Sequence, residues 1–158
     1  MLNEAFCQLV GPTEAAAFWQ DFKDNYITEK DFELIASTGA NTIRVPFHYK
    51  LFTNEDYMGL NDSSEGFRRL DSCISWARSN DLRLILDMHD CPGGQTGDNI
   101  DDSYGYPWLL TDPAAQGQFL DIWDTIATRY ADEDVVLGYE LANEPVATYW
   151  DGAERDSL

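Results

Sequence analysis

Apolar residues recur along this chain in two alternating patterns, the spacing of a helix face and the short continuous run of a buried strand. Helical spacing begins near Thr28, near Gly66 and again at Pro113. The apolar runs lie at residues 41–47, 82–89 and 135–143. Near-continuous apolar runs are typical of parallel strands that are covered on both faces. The alternation therefore predicts an α/β fold with a parallel sheet.

Short polar signals mark where these helices begin. Thr28 and Asp31 form a variant of the capping box at the first helix. Asp112 before Pro113 predicts the start of the third helix, because proline is favoured at the first helical position. Residues 18–31 are interpreted as the approach to the first helix.

Each predicted strand ends in a polar side chain of a different chemical type. The first strand carries Arg44, the second ends at His89, and the third runs into Asn143 and Glu144. Pro145 has no backbone N–H, so a central strand must stop there. The carboxyl ends of barrel strands are where (β/α)-barrel enzymes hold their catalytic groups. These four side chains are therefore the candidate catalytic residues.

Two of these side chains also have a purely structural interpretation. Arg44 can form an interior ion pair with Glu140 or Asp87. His89 and Asp87 share one face of the same strand, so they can form an interior hydrogen bond. Glu140 lies deeper along its strand than Glu144 and is interpreted as structural. The sequence leaves these alternatives open.

The charge of the chain argues against some classes of partner. The formal net charge is -19, and lysine occurs only at Lys23, Lys30 and Lys50. Such a surface repels nucleic acid and anionic membranes, so we expect neither as a partner. Ordinary solubility, adaptation to high salt and a cation-binding surface are three alternative origins of the acidity.

No cofactor or metal centre is expected from the sequence. Asp87, His89, Asp90 and Glu144 are conceivable ligands, but the chain has two histidines and no paired-histidine motif. Its three cysteines are widely spaced, which argues against a disulfide framework and a zinc site. No apolar run reaches the roughly 20 residues that span a bilayer, and no signal peptide is visible at the N-terminus.

A long connection at residues 90–110 separates the second strand from the third helix. It is punctuated by glycine and carries Tyr104, Tyr106 and Trp108. Irregular connections longer than about 12–15 residues are usually functional or disordered, and three aromatic rings argue against disorder. We expect this loop to line a binding site. The alternative is that its rings merely pin the loop to the barrel.

Four short motifs stand in order along the chain. They lie at residues 41–47, 86–89, 92–97 and 141–145, and contain Arg-Val-Pro, Asp-Met-His, Pro-Gly-Gly-Gln and Asn-Glu-Pro. Together they resemble the family 5 glycoside hydrolases, the cellulase and β-glucanase group. The third motif resembles the loop after the third strand of glucan hydrolases in that family. The resemblance extends from about Phe18 to Pro145.

The resemblance implies a (β/α)8 TIM barrel and retaining hydrolysis of β-linked glucans, so the expected partner is a glucan or an oligosaccharide. It assigns Glu144 as the general acid/base and Asn143 as the donor to the sugar 2-hydroxyl. Arg44 would orient the catalytic nucleophile, and His89 would line the subsite around the scissile bond. A secreted or periplasmic location is also implied.

The long loop supplies the candidate substrate-binding residues. Apolar sugar faces stack on aromatic rings, so we expect Tyr104, Tyr106 and Trp108 to contact sugar. Gln95, in the Pro-Gly-Gly-Gln motif, is assigned to substrate binding with them.

The chain is expected to be one fragment, residues 1–158, that holds about three of the eight strand–helix units of the barrel. Retaining hydrolysis needs a second carboxylate about 5–5.5 Å from the first, and the resemblance implies that the seventh strand supplies it. The carboxylates after Pro145 are Asp151, Glu154 and Asp156, which follow the same strand as the acid. The nucleophile is therefore expected outside this chain, which alone should be inactive.

Two other classes of protein remain open at this point. One is a carbohydrate-binding module that keeps the aromatic residues without turnover. The other is a small open-sheet α/β domain unrelated to sugars, for which the four motifs would be a coincidence.

Overall fold

The computed structural model describes residues 2–145, which form an α/β protein with a three-stranded sheet. The chain divides into two compact units. The first consists of residues 2–43 and 50–83, and the described part of the second consists of residues 44–49 and 84–145. All the candidate catalytic and substrate-binding residues belong to the second unit.

Helices make up most of the regular structure of the first unit. α1 spans Leu2–Val10, α2 Pro12–Asn25, α3 Glu29–Ser37 and α4 Glu65–Ser79. The predicted capping box at α3 is confirmed, since the Thr28 backbone N–H donates to Asp31 Oδ2 at 2.7 Å. No helix within residues 2–145 combines the length and the apolar character needed to cross a lipid bilayer.

α2 shows that the interpretation of residues 18–31 as an approach to the first helix was wrong. Phe18 lies in the middle of a helix that begins at Pro12. A helical signal was present in the sequence, because Phe18 and Phe22 are one turn apart and their rings stack at 6.4 Å. Phe6 of α1 adds an edge contact with Phe18 at 5.0 Å. An aromatic cluster therefore joins α1 and α2.

The core of the first unit forms around α4. Phe32 of α3 packs edge-on against Trp76 of α4, with the ring centroids 5.5 Å apart. Phe52 approaches Gly66 so closely that a Cβ at that position would lie 2.5 Å from its ring. Close packing therefore explains a glycine near the start of this helix. Cys73 is buried on the same helix.

The sheet lies in the second unit, apart from the first residues of two strands. β1 spans Thr42–His48, β2 Arg83–Asp90 and β3 Val136–Glu140, in that spatial order. β2 and β3 are parallel, and Asp87 pairs with Glu140 in their register. α5, Pro113–Arg129, is capped by Asp112, whose Oδ1 accepts from the Ala114 N–H at 3.0 Å. The predicted α/β class with a parallel sheet is confirmed.

β2 is the central strand and supplies much of the buried surface. Leu84, Leu86 and Met88 are all completely buried, as expected for a strand covered on both faces. Trp123 of α5 reaches over the end of β3, where its Nε1–H donates to the Leu141 carbonyl at 3.0 Å. The helix therefore fixes the segment that follows β3.

β3 is shorter than the strand predicted at residues 135–143. It ends at Glu140, and residues 141–145 continue as an irregular segment. One bond to the neighbouring strand persists beyond that end, because the Asn143 N–H donates to the Met88 carbonyl at 3.3 Å. The polar residues at the end of this segment are therefore presented by a bend and not by the strand itself.

Candidate active site

A single guanidinium group joins residues from all three strands. Arg44 of β1 donates to Glu140 of β3 in a bidentate pair, Nε to Oε2 at 2.7 Å and Nη2 to Oε1 at 2.9 Å. Its Nη2 also lies 2.9 Å from Asp87 Oδ2 on β2 and 2.8 Å from Asn143 Oδ1. Both structural partners that the sequence offered for Arg44 are therefore present. We call Arg44, Asp87, Glu140 and Asn143 the Arg44 cluster.

The two acids of the Arg44 cluster have different electrostatic environments. Hydrogen bonds from Arg44 lower the pKa of Glu140. Burial raises the pKa of Asp87, although the hydrogen bond from His89 and the charge of Arg44 oppose that effect. Asp87 Oδ1 is buried and has no hydrogen-bond partner among residues 2–145. One cation is thus shared by two acids that are neighbours in the sheet.

His89 is oriented by Asp87. Its Nδ1 lies 2.9 Å from Asp87 Oδ2, and its side chain is 40% exposed. A proton on Nδ1 that is donated to the carboxylate leaves Nε2 as the ring nitrogen available to a substrate. The interior hydrogen bond that the sequence offered for His89 is therefore present, and the ring still reaches solvent.

Arg44 also fixes the orientation of the Asn143 amide. Its Nη2 donates to Asn143 Oδ1, so the amide oxygen is occupied. The amide nitrogen carries two hydrogens and acts as a donor. This orientation suits contact with an acceptor such as a hydroxyl oxygen.

Glu144 is exposed and has a backbone conformation that is rare for its residue type. Its φ is +45°, in the left-handed region, which costs a non-glycine residue about 1–2 kcal/mol. Pro145 restricts the backbone of the residue before it still further. Strained residues of this kind persist where their surroundings hold them, and they cluster at functional sites.

Asp101 holds the long loop in a defined shape. Its carboxylate accepts from the backbone N–H groups of Gln95 and Thr96 at 2.7 Å and of Ser103 at 2.9 Å. Burial alone would raise the pKa of Asp101, but the hydrogen bonds from Ser103, Thr96 and Gln95 outweigh it, and the pKa is lowered. The loop is therefore built around an ionised side chain.

The sequence reasoning missed both Asp101 and its neighbour Asp102. Asp102 ties the loop to the segment after β1, because the Tyr49 hydroxyl donates to its Oδ2 at 2.9 Å. The spacing of Asp101 and Ser103 is the signal that was available, since aspartate often bonds the backbone two residues ahead in a turn. No local pattern indicates the contact of Asp102 with Tyr49.

The aromatic candidates of the loop differ in their surroundings. Trp108 is 45% exposed, and its ring centroid lies 4.9 Å from that of Tyr106. Gly93 allows the backbone to approach Trp108, because a Cβ at Gly93 would lie 2.9 Å from the Trp108 Cβ. Tyr104 is 85% exposed. The loop therefore presents one ring pair and one highly exposed ring.

Gln95 is buried, unlike the three aromatic candidates. Its side chain is 1% exposed, and its amide forms hydrogen bonds with backbone groups through both its oxygen and its nitrogen. This environment favours a supporting role for Gln95 over the direct contact with substrate that was predicted.

Within residues 2–145, no three His, Cys, Asp or Glu side chains are grouped so that they could hold a metal ion. Asp151, Glu154 and Asp156, the carboxylates noted after Pro145, lie outside the described residues. The described site presents carboxyl, amide, imidazole and guanidinium groups.

Comparison with known sequences shows the family of this chain. Residues 5–156 match the family model for cellulase, glycosyl hydrolase family 5. The chain belongs to this family. The resemblance inferred from the four motifs is thereby confirmed.

Two relatives of this family 5 chain show how much of a complete enzyme it corresponds to. Endoglucanase C of Acetivibrio thermocellus is 36% identical over 136 residues, which are 84% of this chain and 38% of that protein. A probable glucan 1,3-beta-glucosidase A of Emericella nidulans is 36% identical over 143 residues, 87% of this chain and 34% of that protein. The chain thus spans well under half the length of these relatives.

Solved structures share the fold of this family 5 chain. An endoglucanase of Pseudomonas stutzeri in complex with cellobiose matches 77% of this chain and 33% of its own, with a TM-score of 0.53 and 27% identity. A rutinosidase of Aspergillus niger covers 81% and 36%, with a TM-score of 0.67 and 20% identity, so that likeness concerns the fold alone. These neighbours are TIM-barrel enzymes, and the predicted partial barrel is confirmed.

Proposed function

We propose that this family 5 chain provides the acid/base half of a retaining active site that hydrolyses β-glucans. Glu144 is the general acid/base, Asn143 donates to the sugar 2-hydroxyl, and His89 lines the subsite at the scissile bond. The observation that supports this proposal most is the Arg44 cluster, which orients an amide donor directly beside an exposed acid.

The reaction has two steps, in which Glu144 changes its role. In the first step its protonated carboxyl gives a proton to the glycosidic oxygen, a nucleophilic carboxylate bonds to the anomeric carbon, and the bond between that carbon and the glycosidic oxygen breaks, so the rest of the glucan leaves as an alcohol. In the second step the ionised Glu144 removes a proton from the water that displaces the nucleophile. A hydrogen bond from Asn143 to the 2-hydroxyl lowers both barriers, because such bonds strengthen in the transition state.

The nucleophile must be a second carboxylate about 5–5.5 Å from the first. Asp87 and Glu140 are both engaged by Arg44, and Asp87 is completely buried. We assign the nucleophile to neither acid, but to a strand outside residues 2–145, as the family resemblance implies. Arg44 is suited to keep such a carboxylate ionised, since its own charge is permanent. Residues 1–158 alone are then expected to be inactive.

A β-glucan substrate is supported by the relatives and by the long loop. One relative is named an endoglucanase, another a probable glucan 1,3-beta-glucosidase, and one similar structure holds cellobiose. Trp108 and Tyr106 offer paired aromatic faces on which a sugar ring can stack. The exposed Tyr104 offers a further stacking position.

The substitution Glu144→Gln tests this proposal. It is made in a full-length family 5 barrel that contains the residues described here. The kcat/KM for an unactivated β-glucan should fall about 10²–10⁴-fold, because general acid catalysis contributes that order. For an aryl β-glucoside with a good leaving group, kcat/KM should fall far less, since such a group departs with little protonation. The matched control is Asp124→Asn, an exposed acid on α5.

Equal losses on the two substrates would remove Glu144 from the acid role. Binding of oligosaccharide without any hydrolysis by the unsubstituted barrel would instead favour the carbohydrate-binding module.

A further inference from the structure

Gln95 connects the two segments that carry the candidate catalytic residues. Its Nε2 donates to the His89 carbonyl at 2.7 Å and to the Asn143 carbonyl at 2.9 Å. Its Oε1 accepts from the Cys91 N–H at 3.1 Å. Both amide hydrogens are therefore used. The side chain forms a bridge between the end of β2 and the segment after β3, while Gln95 itself belongs to the loop.

The bond to Asn143 acts on a strained part of the backbone. The Asn143 carbonyl belongs to the peptide group that precedes Glu144, whose φ is +45°. Rotation of that rigid peptide plane changes φ of Glu144, so a donor fixed on the carbonyl oxygen restrains it. The Asn143 N–H is also held, by the Met88 carbonyl at 3.3 Å. Both backbone polar groups of Asn143 therefore have partners.

Gln95 is in turn fixed by the loop. Asp101 accepts from its backbone N–H at 2.7 Å and from that of Thr96 at the same distance. A side chain whose own backbone is held in this way can impose its geometry on a neighbouring segment. The shape of the loop is thus transmitted to the residues before the acid.

We propose that Gln95 is a positioning residue that holds the peptide between Asn143 and Glu144 in the orientation needed for acid/base catalysis. The inference rests on the proposed function of Glu144. A left-handed residue relaxes when the contacts that hold it are lost, and its carboxyl group then leaves its position. Gln95 acts through this peptide and touches no substrate, since its side chain is 1% exposed.

The substitution Gln95→Met in the full-length barrel removes the bridge and keeps a side chain of similar size. We expect kcat/KM for β-glucan to fall about 10–100-fold, the order that follows from misplacing a catalytic group. The loss on an aryl β-glucoside with a good leaving group should be much smaller. Gln95→Glu keeps the acceptor for the Cys91 N–H but places an oxygen against the carbonyl groups of His89 and Asn143. It should therefore also lower kcat/KM for β-glucan more than kcat/KM for the aryl β-glucoside.

The matched control is Thr96→Val. Thr96 is completely buried beside Gln95, and its Oγ1 accepts from the Asp98 N–H at 3.1 Å within the loop. This variant should change the two rates by the same factor. The proposal is overturned if Thr96→Val shifts the ratio of the two kcat/KM values as far as the Gln95 variants do. It is also overturned if the Gln95 variants lose activity equally on both substrates. Failure of both Gln95 variants to fold would assign the bridge to loop stability and overturn it as well.

A crystal structure of the Gln95→Met barrel separates this inference from the proposed function. If the unsubstituted barrel hydrolyses neither substrate, the proposed function fails. The φ angle of Glu144 in the Gln95→Met structure still shows whether Gln95 restrains that part of the backbone. A change of φ at Glu144 to a negative value supports the role of Gln95. An unchanged φ contradicts it.

Discussion

Within residues 2–145, each of the two compact units has one buried carboxylate, and the two carboxylates differ in the number of cations that surround them. In the first unit, Glu65 is 2% exposed and three cationic side chains surround it. In the second unit, Asp87 is completely buried and shares a single cation, Arg44, with Glu140. Glu65 thus has three cationic neighbours, two of which also pair with the exposed acids Asp24 and Asp62, whereas the two acids of the second site share one arginine.

The contacts of Glu65 explain why its environment favours the ionised form. It accepts from Arg69 Nε at 2.9 Å, pairs with Arg68, and lies 3.9 Å from Lys23 Nζ. Burial alone would raise the pKa of Glu65, but the hydrogen bonds from the two arginines outweigh it and the pKa is lowered. For Asp87, burial prevails and the pKa is raised.

This difference is the one expected between a purely structural ion cluster and the catalytic cluster that we propose. A buried charge with a complete set of partners is costly to disrupt, because removing one partner leaves an uncompensated charge. A buried charge that is incompletely balanced is characteristic of functional sites, where groups of shifted pKa concentrate. The Arg44 cluster, in which Asp87 Oδ1 has no hydrogen-bond partner among residues 2–145, has the second arrangement, as the catalytic role that we propose for it requires.

Among changes to the two buried acid sites, removal of the shared cation should have the largest effect. Arg44→Met frees the Asn143 amide and leaves Asp87 beside Glu140 without a counter-charge. In the full-length barrel, kcat on β-glucan should fall about 10²–10³-fold, the order for the loss of one preorganised electrostatic contact. Arg44→Lys is the matched control, because it keeps the charge but not the bidentate geometry, and it should lose less. Turnover by Arg44→Met close to that of the unsubstituted barrel would contradict a catalytic role for the cluster.

The next effect concerns stability in the first unit. Glu65→Gln leaves Lys23, Arg68 and Arg69 as neighbouring cations without their buried counter-charge. The free energy of unfolding in urea at pH 7 should fall by about 3 kcal/mol, the lower end of the range for breaking a buried ion pair. Turnover by the folded protein should not change.

The matched control for Glu65→Gln is Asp62→Asn, which removes an exposed acid that also contacts Arg68. Its effect should be much smaller, because exposed ion pairs contribute little. A loss of turnover in Glu65→Gln at full folding would mean that the first unit is not purely structural.

Local signals explain how much of this structure the sequence could predict. The Asp31 carboxylate accepts from the Thr28 backbone N–H, and the Asp112 carboxylate accepts from that of Ala114, so the helix starts predicted at Thr28 and Asp112 were correct. His89 was found because it lies near the end of a nearly apolar strand. Arg44 was found because it is a cation in such a run, but its prediction as a strand-end residue was wrong, since it lies inside β1. What the sequence left open was the choice of partner, since contacts between strands depend on register.

Two features needed the folded structure. Gln95 was predicted to bind substrate as part of a sugar-binding loop, whereas the structure buries its side chain and bonds its backbone N–H to Asp101 elsewhere in that loop. The network around Glu65 was not predicted, because Lys23 and Glu65 are distant in sequence and come together through helix packing. Long-range contacts of this kind have no local signature.

The smallest expected effect is a change in how the free energy of unfolding depends on pH. It tests the difference between Asp87 and Glu65 most directly. The pKa of Asp87 in the folded protein is raised above its unfolded value, which is near 3.9 for aspartate. Its contribution to stability is therefore fully present below the unfolded pKa and is lost as pH rises through the folded pKa. Asp87→Asn removes this loss, so the variant should gain stability relative to the unsubstituted barrel as pH rises from about 4 to 7.

Glu65→Gln should show the opposite slope, because the lowered pKa of Glu65 gives stability above its unfolded pKa that is lost on acidification. Urea unfolding of both variants across this pH range measures the two slopes, and slopes of the same sign would show that the two buried acids do not differ as their contacts indicate.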